Sequence, residues 1–425
     1  MPPFPSVLRV ALVCLHTSPG DEPGAGDAGG MNVVVLKQGE AMASLGHEVE
    51  IVTRRSSPEQ PDEQRLGEGL TLRFLDAGPP EPMPKGVHEA YIDEFRARLD
   101  ACGPYDIVHS HHWFSGMAAL PYARLHGVPH VQSFHSIAAH ESTPLSSGER
   151  PESAGRMAGE AWLAQESDAV VTASEAEADT VVQRLGGTAD RVSVVLPGVD
   201  GELFHPAEET PGNSGRYALV AGRLQPLKGF DLAIRAIAAV PPAVRPELLI
   251  AGDVSADYAG YVDELRAIAT EHGIDGGVRF LGPRARQDLA GLLREASIVL
   301  VPSHSETYGL VALEAAASGV PVVAAASGGL QEAVVDGRTG VVLGSRDPEV
   351  WGEAIRRILA DPEVARELAS AGREHALQLD WTRSARRLLA VYDTVLGADR
   401  EREEAFDSDG SPDPRARALN GCGRA

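Results

Sequence analysis

Ser305-Glu306-Thr307-Tyr308-Gly309-Leu310-Val311-Ala312-Leu313-Glu314-Ala315 follows closely on the apolar run Ile298 to Val301. The run reads as a buried strand, and the segment after it as a loop that opens into a helix. A first helical turn exposes backbone N–H groups and the positive end of the helix dipole, which favours an anion such as a diphosphate. Glu306 stands before that turn and Glu314 stands two turns into it, eight positions on, placed to accept hydroxyls on either side of such an anion. A lone pair of acids at this spacing also fits a capping residue followed by a solvated one. The remainder of the chain decides between the two.

Outward from this stretch, strand-like and helix-like periods alternate in two series. The first runs through Leu8 to Leu15, Val33 to Ser44, Val49 to Thr53, Ile107 to His109, Met117 to Leu125, His130 to Ser133 and Ala169 to Thr172. The second runs from Tyr217 to Ala221 through Ala233 to Ala239, Leu248 to Ala251, Tyr261 to Glu271, Val278 to Leu281, Leu289 to Glu295 and Ile298 to Val301, ending at Val320 to Ala324. Such alternation predicts parallel sheets covered on both faces. A polar stretch with Pro and Gly, Phe204 to Arg216, separates the series as a linker. We therefore expect an α/β chain of two similar domains, residues 1–205 and 206–381, facing each other. Between Ser57 and Lys85 six prolines suggest loops around one strand, Leu70 to Leu75. After Trp381 a helix to residue 397 presents Leu388, Leu389, Val391, Tyr392 and Val395 on one face, and residues 398–425 read as a disordered tail.

A length of 425 residues suits two domains, and 43% apolar residues with few aromatics suit α/β layers. The formal charge of −23 argues against non-specific nucleic-acid binding, which needs clustered Lys and Arg. Three cysteines, Cys14, Cys102 and Cys422, have no metal-ligand spacing and are too few for a disulfide framework. No run approaches the roughly 20 apolar residues of a membrane span. A soluble, cytoplasmic protein is the simplest expectation. Whether it pairs with a second copy is open, a homodimer being one option.

Ligands of open parallel sheets bind beyond the carboxyl ends of the strands. After Leu8 to Leu15 comes His16-Thr17-Ser18-Pro19-Gly20, then a glycine-rich loop, Gly24 to Asn32, whose backbone can approach a phosphate. Gly24, Gly26 and Gly29 form a G-x-G-x-x-G, the mark of a dinucleotide oxidoreductase. Gly24 lies eight residues past His16, however, and the ribose-binding acid expected after the second strand is replaced by Arg54 and Arg55, residues that suit only a 2′-phosphate. In the second series the strand Tyr217 to Ala221 enters Gly222-Arg223-Leu224-Gln225-Pro226-Leu227-Lys228-Gly229, placing a guanidinium and an ammonium on one short loop. With Glu306 and Glu314 at later strand ends, Arg223 and Lys228 are expected to neutralise a leaving diphosphate in place of a metal. The one D-x-D triplet, Asp407-Ser408-Asp409, falls in the tail. His109-Ser110-His111-His112 lacks a nearby carboxylate or Cys to complete a metal site, so these histidines are expected to line the ligand cleft. No metal or other cofactor is expected.

The segment around Glu306 and Glu314 resembles the donor-site motif of the retaining nucleotide-sugar glycosyltransferases of family four, which have the GT-B fold, two Rossmann-like domains facing across a cleft. The resemblance implies that Glu306 contacts the transferred hexose and Glu314 the nucleotide ribose. It implies donor contacts from Gly29, Gly30, Arg284, Tyr308, Gly309 and Leu310, and a C-terminal helix that crosses back onto the first domain. His135, after the strand His130 to Ser133, matches a histidine that contacts the donor sugar, and is expected to join Glu306, Arg223 and Lys228 at the reaction centre. Gly26-Asp27-Ala28-Gly29-Gly30-Met31-Asn32, His109-Ser110-His111 with Trp113, Pro151-Glu152-Ser153 and Gly222 to Lys228 are similar to the mycothiol-pathway enzymes, which transfer N-acetylglucosamine from UDP to inositol phosphate. That similarity assigns Lys85, Ser136 and Arg156 to an acceptor phosphate and turns Asn32 toward the acceptor.

At the acceptor end the chain departs from that pattern. His112 takes the place of a phosphate-binding tyrosine, the arginine near position 156 aligns alternatively with Met157, and the loop after His135 carries Glu141 where lysine is expected. Fewer cations and an added acid favour a neutral or cationic cyclitol. The expectation is therefore transfer of N-acetylglucosamine, or glucose, from a UDP donor to 2-deoxystreptamine, as in aminoglycoside antibiotic pathways, with inositol phosphate as the alternative. Lys85 opposes a cationic acceptor. From other classes, a UDP-sugar epimerase needs no acceptor site, and a non-catalytic nucleotide-sugar sensor would keep Arg223, Lys228 and Glu314 without turnover.

Overall fold

The computed structural model describes residues 7–21, 28–139, 152–207, 217–254 and 258–409. The first domain contains strands β1 (Arg9–Cys14), β2 (Glu48–Arg54), β3 (Glu63–Gly67), β4 (Leu70–Leu75), β5 (Ile107–His111), β6 (His130–Ser133), β7 (Ala169–Thr172) and β8 (Val192–Val194). They form one sheet in the order β3-β4-β2-β1-β5-β6-β7-β8, parallel except for the edge pair β3 and β4. Helices α1 (Gly30–Ser44), α2 (Ile92–Leu99), α3 (Trp113–His126), α4 (Arg156–Glu166) and α5 (Glu175–Gln183) cover it. The second domain has β9 (Tyr217–Ala221), β10 (Glu247–Ala251), β11 (Val278–Gly282), β12 (Ile298–Val301), β13 (Val322–Ala325) and β14 (Val341–Leu343), parallel throughout in the order β11-β10-β9-β12-β13-β14. Around it lie α6 (Phe230–Ala239), α7 (Tyr261–Glu271), α8 (Arg286–Glu295), α9 (Leu310–Ala317), α10 (Leu330–Ala333), α11 (Pro348–Ala360) and α12 (Pro362–Ala376). A long helix, α13 (Trp381–Asp409), ends the described chain.

Each sheet is buried on both faces, so its central strands are continuous apolar runs such as Ile298-Val299-Leu300-Val301 and not alternating ones. Side chains alternate to either face. Leu12 packs toward α1 and α13, while Val13 and Val108 pack with Phe114 of α3. Trp381, Ala385, Leu388, Leu389 and Tyr392 of α13 are buried in the first domain's core, and Gln38 Nε2 donates to Ser384 Oγ at 3.1 Å. The helix crosses back as expected, with Val391 only partly buried.

Two sequence expectations need correction. Within the Pro-rich segment a second strand, β3, pairs antiparallel with β4; its Glu-Gln-Arg-Leu-Gly sequence is mostly exposed and polar, so no apolar period marks it. The last helix does not stop at residue 397. It continues to Asp409 through Ala, Arg and Glu residues, which propagate a helix well once a buried segment has nucleated it. Residues 410–425 lie outside the described residues. Among the described residues no helix is long and apolar enough to cross a membrane.

The two domains touch through specific polar contacts. Thr307 Oγ1, in the loop before α9, donates to the His135 carbonyl at 2.6 Å. The Glu332 carboxylate of α10 accepts the backbone N–H groups of Glu175 and Ala176 at 2.9 and 3.0 Å, capping α5 of the other domain.

Candidate active site

The cavity between the domains is lined from the first by His16, Gly29, Gly30, Asn32, Lys85, His112, His135 and Ser136, and from the second by Arg223, Lys228, Arg284, Arg286, Glu306, Thr307, Tyr308, Gly309, Leu310 and Glu314. Each half of this wall comes from loops past strand ends, as parallel sheets require. The glycine loop and the loop after β9 meet here. A Cβ at Gly29 would stand 3.5 Å from Arg223 Nε, and one at Gly30 would stand 3.5 Å from Leu310 Cδ1. Gly309 starts α9 at φ 108°, and a Cβ there would come within 2.4 Å of Leu330 Cδ2, so only glycine serves.

On the second-domain side, Lys228 Nζ lies 2.6 Å from Glu306 Oε1, and the same oxygen accepts from Ser303 Oγ at 2.9 Å. Glu314 is buried in α9, and its Oε1 lies 2.7 Å from Arg286 Nη2. Burial pushes its carboxyl pKa up, against the pull of Arg286. The Arg286 guanidinium also covers the Phe204 ring at 5.0 Å. Arg286 is a site residue that the sequence reading missed, because it precedes the apolar period Leu289 to Glu295, with nothing local to set it apart from Arg284. Arg284 lines the cavity with Nη2 on the Leu281 carbonyl at 2.6 Å.

On the first-domain side, His135 sits at φ 57° after β6, a left-handed conformation that costs a non-glycine residue about 1–2 kcal/mol and is held by its contact with Thr307. Burial lowers its pKa to about 4, so the ring is neutral near pH 7. Arg156 is buried. Its Nε meets Glu160 Oε1 at 2.8 Å, Nη1 meets Glu152 Oε2 at 2.7 Å, and Nη2 donates to both the carbonyl and the Oγ of Ser136 at 3.0 Å. Ser136 Oγ accepts that bond and keeps its own proton to give. Met157, the alternative to this arginine, is exposed. His16 and His112 stack with ring centroids 4.3 Å apart, and both are held well below the usual imidazole range by burial first and then by the nearby Lys85 charge.

Several expected roles shift. Asn32 borders the cavity, but Nδ2 donates to Thr17 Oγ1 and the Ser18 carbonyl, at 3.0 and 2.6 Å, while Oδ1 accepts from Gly29 N–H at 3.1 Å. It therefore shapes the glycine loop. Of the histidine run only His112 reaches the cavity wall; His109 and His111 lie buried behind it. β5 runs two residues past the expected end at His109, so His109 and His111 leave the sheet from the same face, and His112 is the first residue beyond the strand. Among the described residues no group of three His, Cys, Asp or Glu side chains could hold a metal ion. Arg54, weighed for a 2′-phosphate, is spent on the carbonyls of Arg55, Pro79 and Glu81. Glu141, Gly24 and Gly26 lie outside the described residues.

Behind His135, Glu177 is buried with Oε2 accepting the Ala173 N–H at 2.8 Å and Oε1 unpartnered. Burial raises its pKa from 4.5 to about 7. A carboxyl whose folded pKa exceeds its unfolded one holds its proton more tightly when folded, so its contribution to stability declines as pH rises from 4.5 through about 7. Relative to Glu177→Gln, the wild-type Tm is expected to fall between pH 5 and pH 8. Parallel Tm curves for the two proteins over that range would refute the assignment.

Two facing α/β domains, with cations and carboxylates gathered at the strand ends between them, define a GT-B glycosyltransferase. Comparison agrees in both halves: residues 29–198 match the glycosyl transferase 4-like domain and residues 204–375 match glycosyl transferases group 1. The chain is 40% identical to a D-inositol 3-phosphate glycosyltransferase of Stackebrandtia nassauensis, covering 91% of this chain and 92% of that one. It is 39% identical to one of Saccharomonospora viridis, covering 92% and 95%. The chain belongs to the family of glycosyltransferases that these two domains define. Among solved structures, sucrose-phosphate synthase from Thermosynechococcus elongatus superposes with a TM-score of 0.85 at 27% identity, covering 92% of this chain and 100% of that one. Anabaena HepE in complex with UDP and glucose superposes with a TM-score of 0.72 at 20% identity, covering 91% and 100%, a likeness of fold.

Proposed function

We propose that this enzyme transfers N-acetylglucosamine from its UDP donor to D-inositol 3-phosphate with retention of configuration. The observation that carries the reading is the presence of cations on both walls of one cavity, Arg223 and Lys228 from the second domain and Lys85 from the first, the last near Ser136, whose Oγ is held from behind the wall by Arg156. One suits a departing diphosphate, the other a phosphorylated acceptor. The relatives' names carry that acceptor, and a neighbour of the same fold holds UDP. The aminocyclitol gives way to inositol phosphate here. It drew on His112, on Glu141, which lies outside the described residues, and on the choice between Arg156 and Met157, and that choice falls to Arg156, whose guanidinium bonds Ser136.

The chemistry follows from charge. The donor diphosphate lies against Arg223, Lys228 and the amides of the glycine loop, where preorganised donors stabilise the negative charge that builds as the sugar–phosphate bond breaks. Glu306 orients Lys228 and accepts sugar hydroxyls; Glu314, fixed by Arg286, takes the ribose. The acceptor hydroxyl attacks from the face that the phosphate leaves, and its proton passes to a departing phosphate oxygen. Positioning and charge supply the rate without a metal.

Mass spectrometry tests this directly. UDP-N-acetylglucosamine and UDP-glucose are offered against D-inositol 3-phosphate and 2-deoxystreptamine, with and without chelator. The expected product is N-acetylglucosaminyl inositol phosphate, formed at an unchanged rate with chelator present. Product from 2-deoxystreptamine alone would overturn the acceptor, and loss of turnover on chelation would overturn the metal-free mechanism.

A further inference from the structure

His135 has a partner that substrate binding does not call for. Its Nε2 lies 2.8 Å from Nδ1 of His111, with the rings 5.1 Å apart and inclined by 31°. His111 stacks in turn on His109 at 4.3 Å. His109 is bonded at both nitrogens, Nδ1 to the Tyr392 hydroxyl at 2.7 Å and Nε2 to Ser133 Oγ at 3.0 Å. The row thus runs from the cavity to α13.

Its protons can be placed from the closed end. Ser133 has one hydroxyl proton, given to the Val171 carbonyl at 3.0 Å, so its oxygen accepts from His109 Nε2–H. His109 Nδ1 is then a lone pair and accepts from Tyr392 O–H. His109 so held presents a fixed ring face to His111. On His111, Nε2 is buried without a hydrogen-bond partner. Burial keeps both His111 and His135 neutral, so each ring carries one proton. Orphaned buried N–H groups are rarer than orphaned acceptors, which puts the His111 proton on Nδ1 and makes that nitrogen the donor to His135. His135 then holds its own proton on Nδ1, a nitrogen with no hydrogen-bond partner among the described residues, in a ring that borders the cavity.

We propose that His111 is a positioning residue that locks His135 in its Nδ1–H form, so that His135 meets a substrate oxygen as a hydrogen-bond donor and not as a base. The backbone adds to the lock, since the His135 carbonyl is tied to Thr307 across the domain boundary. With Nδ1, the nitrogen that His111 leaves to the substrate, already protonated, the acceptor's proton has to leave by the phosphate oxygen as the carbon–phosphate-oxygen bond breaks and the new glycosidic bond forms. The inference rests on His135 lying at the reaction centre, and it is independent of which acceptor is used.

The test pairs a spectrum with a rescue. Long-range proton–nitrogen correlation of the full chain labelled in its histidines, with His135 assigned through His135→Gln, is expected to show the Nδ1-protonated pattern near pH 7. His111→Phe keeps a stacked ring but removes the donor; it is expected to lose that pattern and to lower kcat about 10²-fold, the scale of a small misplacement at a reacting centre, with the donor KM within about threefold. His111→Asn returns an N–H near the lost one and is expected to recover at least tenfold of that loss. An Nε2-protonated His135 in the wild type would overturn the proposal. So would wild-type kcat in His111→Phe, or an Asn variant no better than Phe. The spectra need no acceptor, so an error in the acceptor assignment would leave the tautomer result standing.

Discussion

Lys228→Ala is expected to lower kcat by about 10²–10³-fold, the loss typical of one missing donor at a developing oxyanion. The ammonium sits on the short turn between β9 and α6, where Gly229 at φ 70° brings the chain against the Pro302 carbonyl and so aims the side chain at Glu306. The side chains of Lys228 and Glu306 are 22% and 17% exposed, so water can re-solvate Glu306 when its partner goes. Ser303 keeps its hydrogen bond to the same carboxylate oxygen. The domain should therefore stay folded, with a circular dichroism melt close to wild type, while turnover collapses. Because the charge is needed most as the diphosphate departs, kcat should fall more than donor affinity. A variant that melts normally and retains wild-type kcat would remove Lys228 from the mechanism.

Arg156→Met should act on stability and on acceptor use together, and a second substitution separates them. Arg156 and Glu160 have side chains 9% and 1% exposed, and removing one partner of such a pair strands the other charge at a cost of about 3–5 kcal/mol. Glu160 keeps the Ala138 N–H, which offsets only part of that cost. Adding Glu160→Gln removes the stranded charge, keeps an acceptor for the Ala138 N–H and should restore most of the melting temperature. It should not restore the hold on Ser136, whose hydroxyl direction depends on the Arg156 guanidinium. The double variant is therefore expected to fold, to keep its donor KM, and to show a raised KM for the proposed acceptor, inositol phosphate. Recovery of both stability and acceptor KM would mean that Arg156 serves the fold alone.

Much of the donor side was legible in the chain because its residues lie in short, contiguous signals. A loop past a strand has to place Glu306 before α9, and Gly222 to Gly229 has to put Arg223 and Lys228 on one turn, whatever the packing around them. The acceptor side was less legible. Arg156 and Met157 are adjacent, and only the face that α4 turns inward tells which of them meets Ser136. Arg286 gave no local signal at all, since its role comes from Glu314, 28 residues later, reaching it across packed helices.

The order of strands and helices, the two-domain division and the cationic turn were set by local period and turn chemistry, which act over a few residues and can be read one stretch at a time. Pairings between distant stretches were decided by packing: β3 at the sheet edge, α13 laid across α1, and the row from Tyr392 through His109 and His111 to His135. Each depends on which side chains two surfaces bury together, and that is a property of the folded interior that no single stretch of the chain contains.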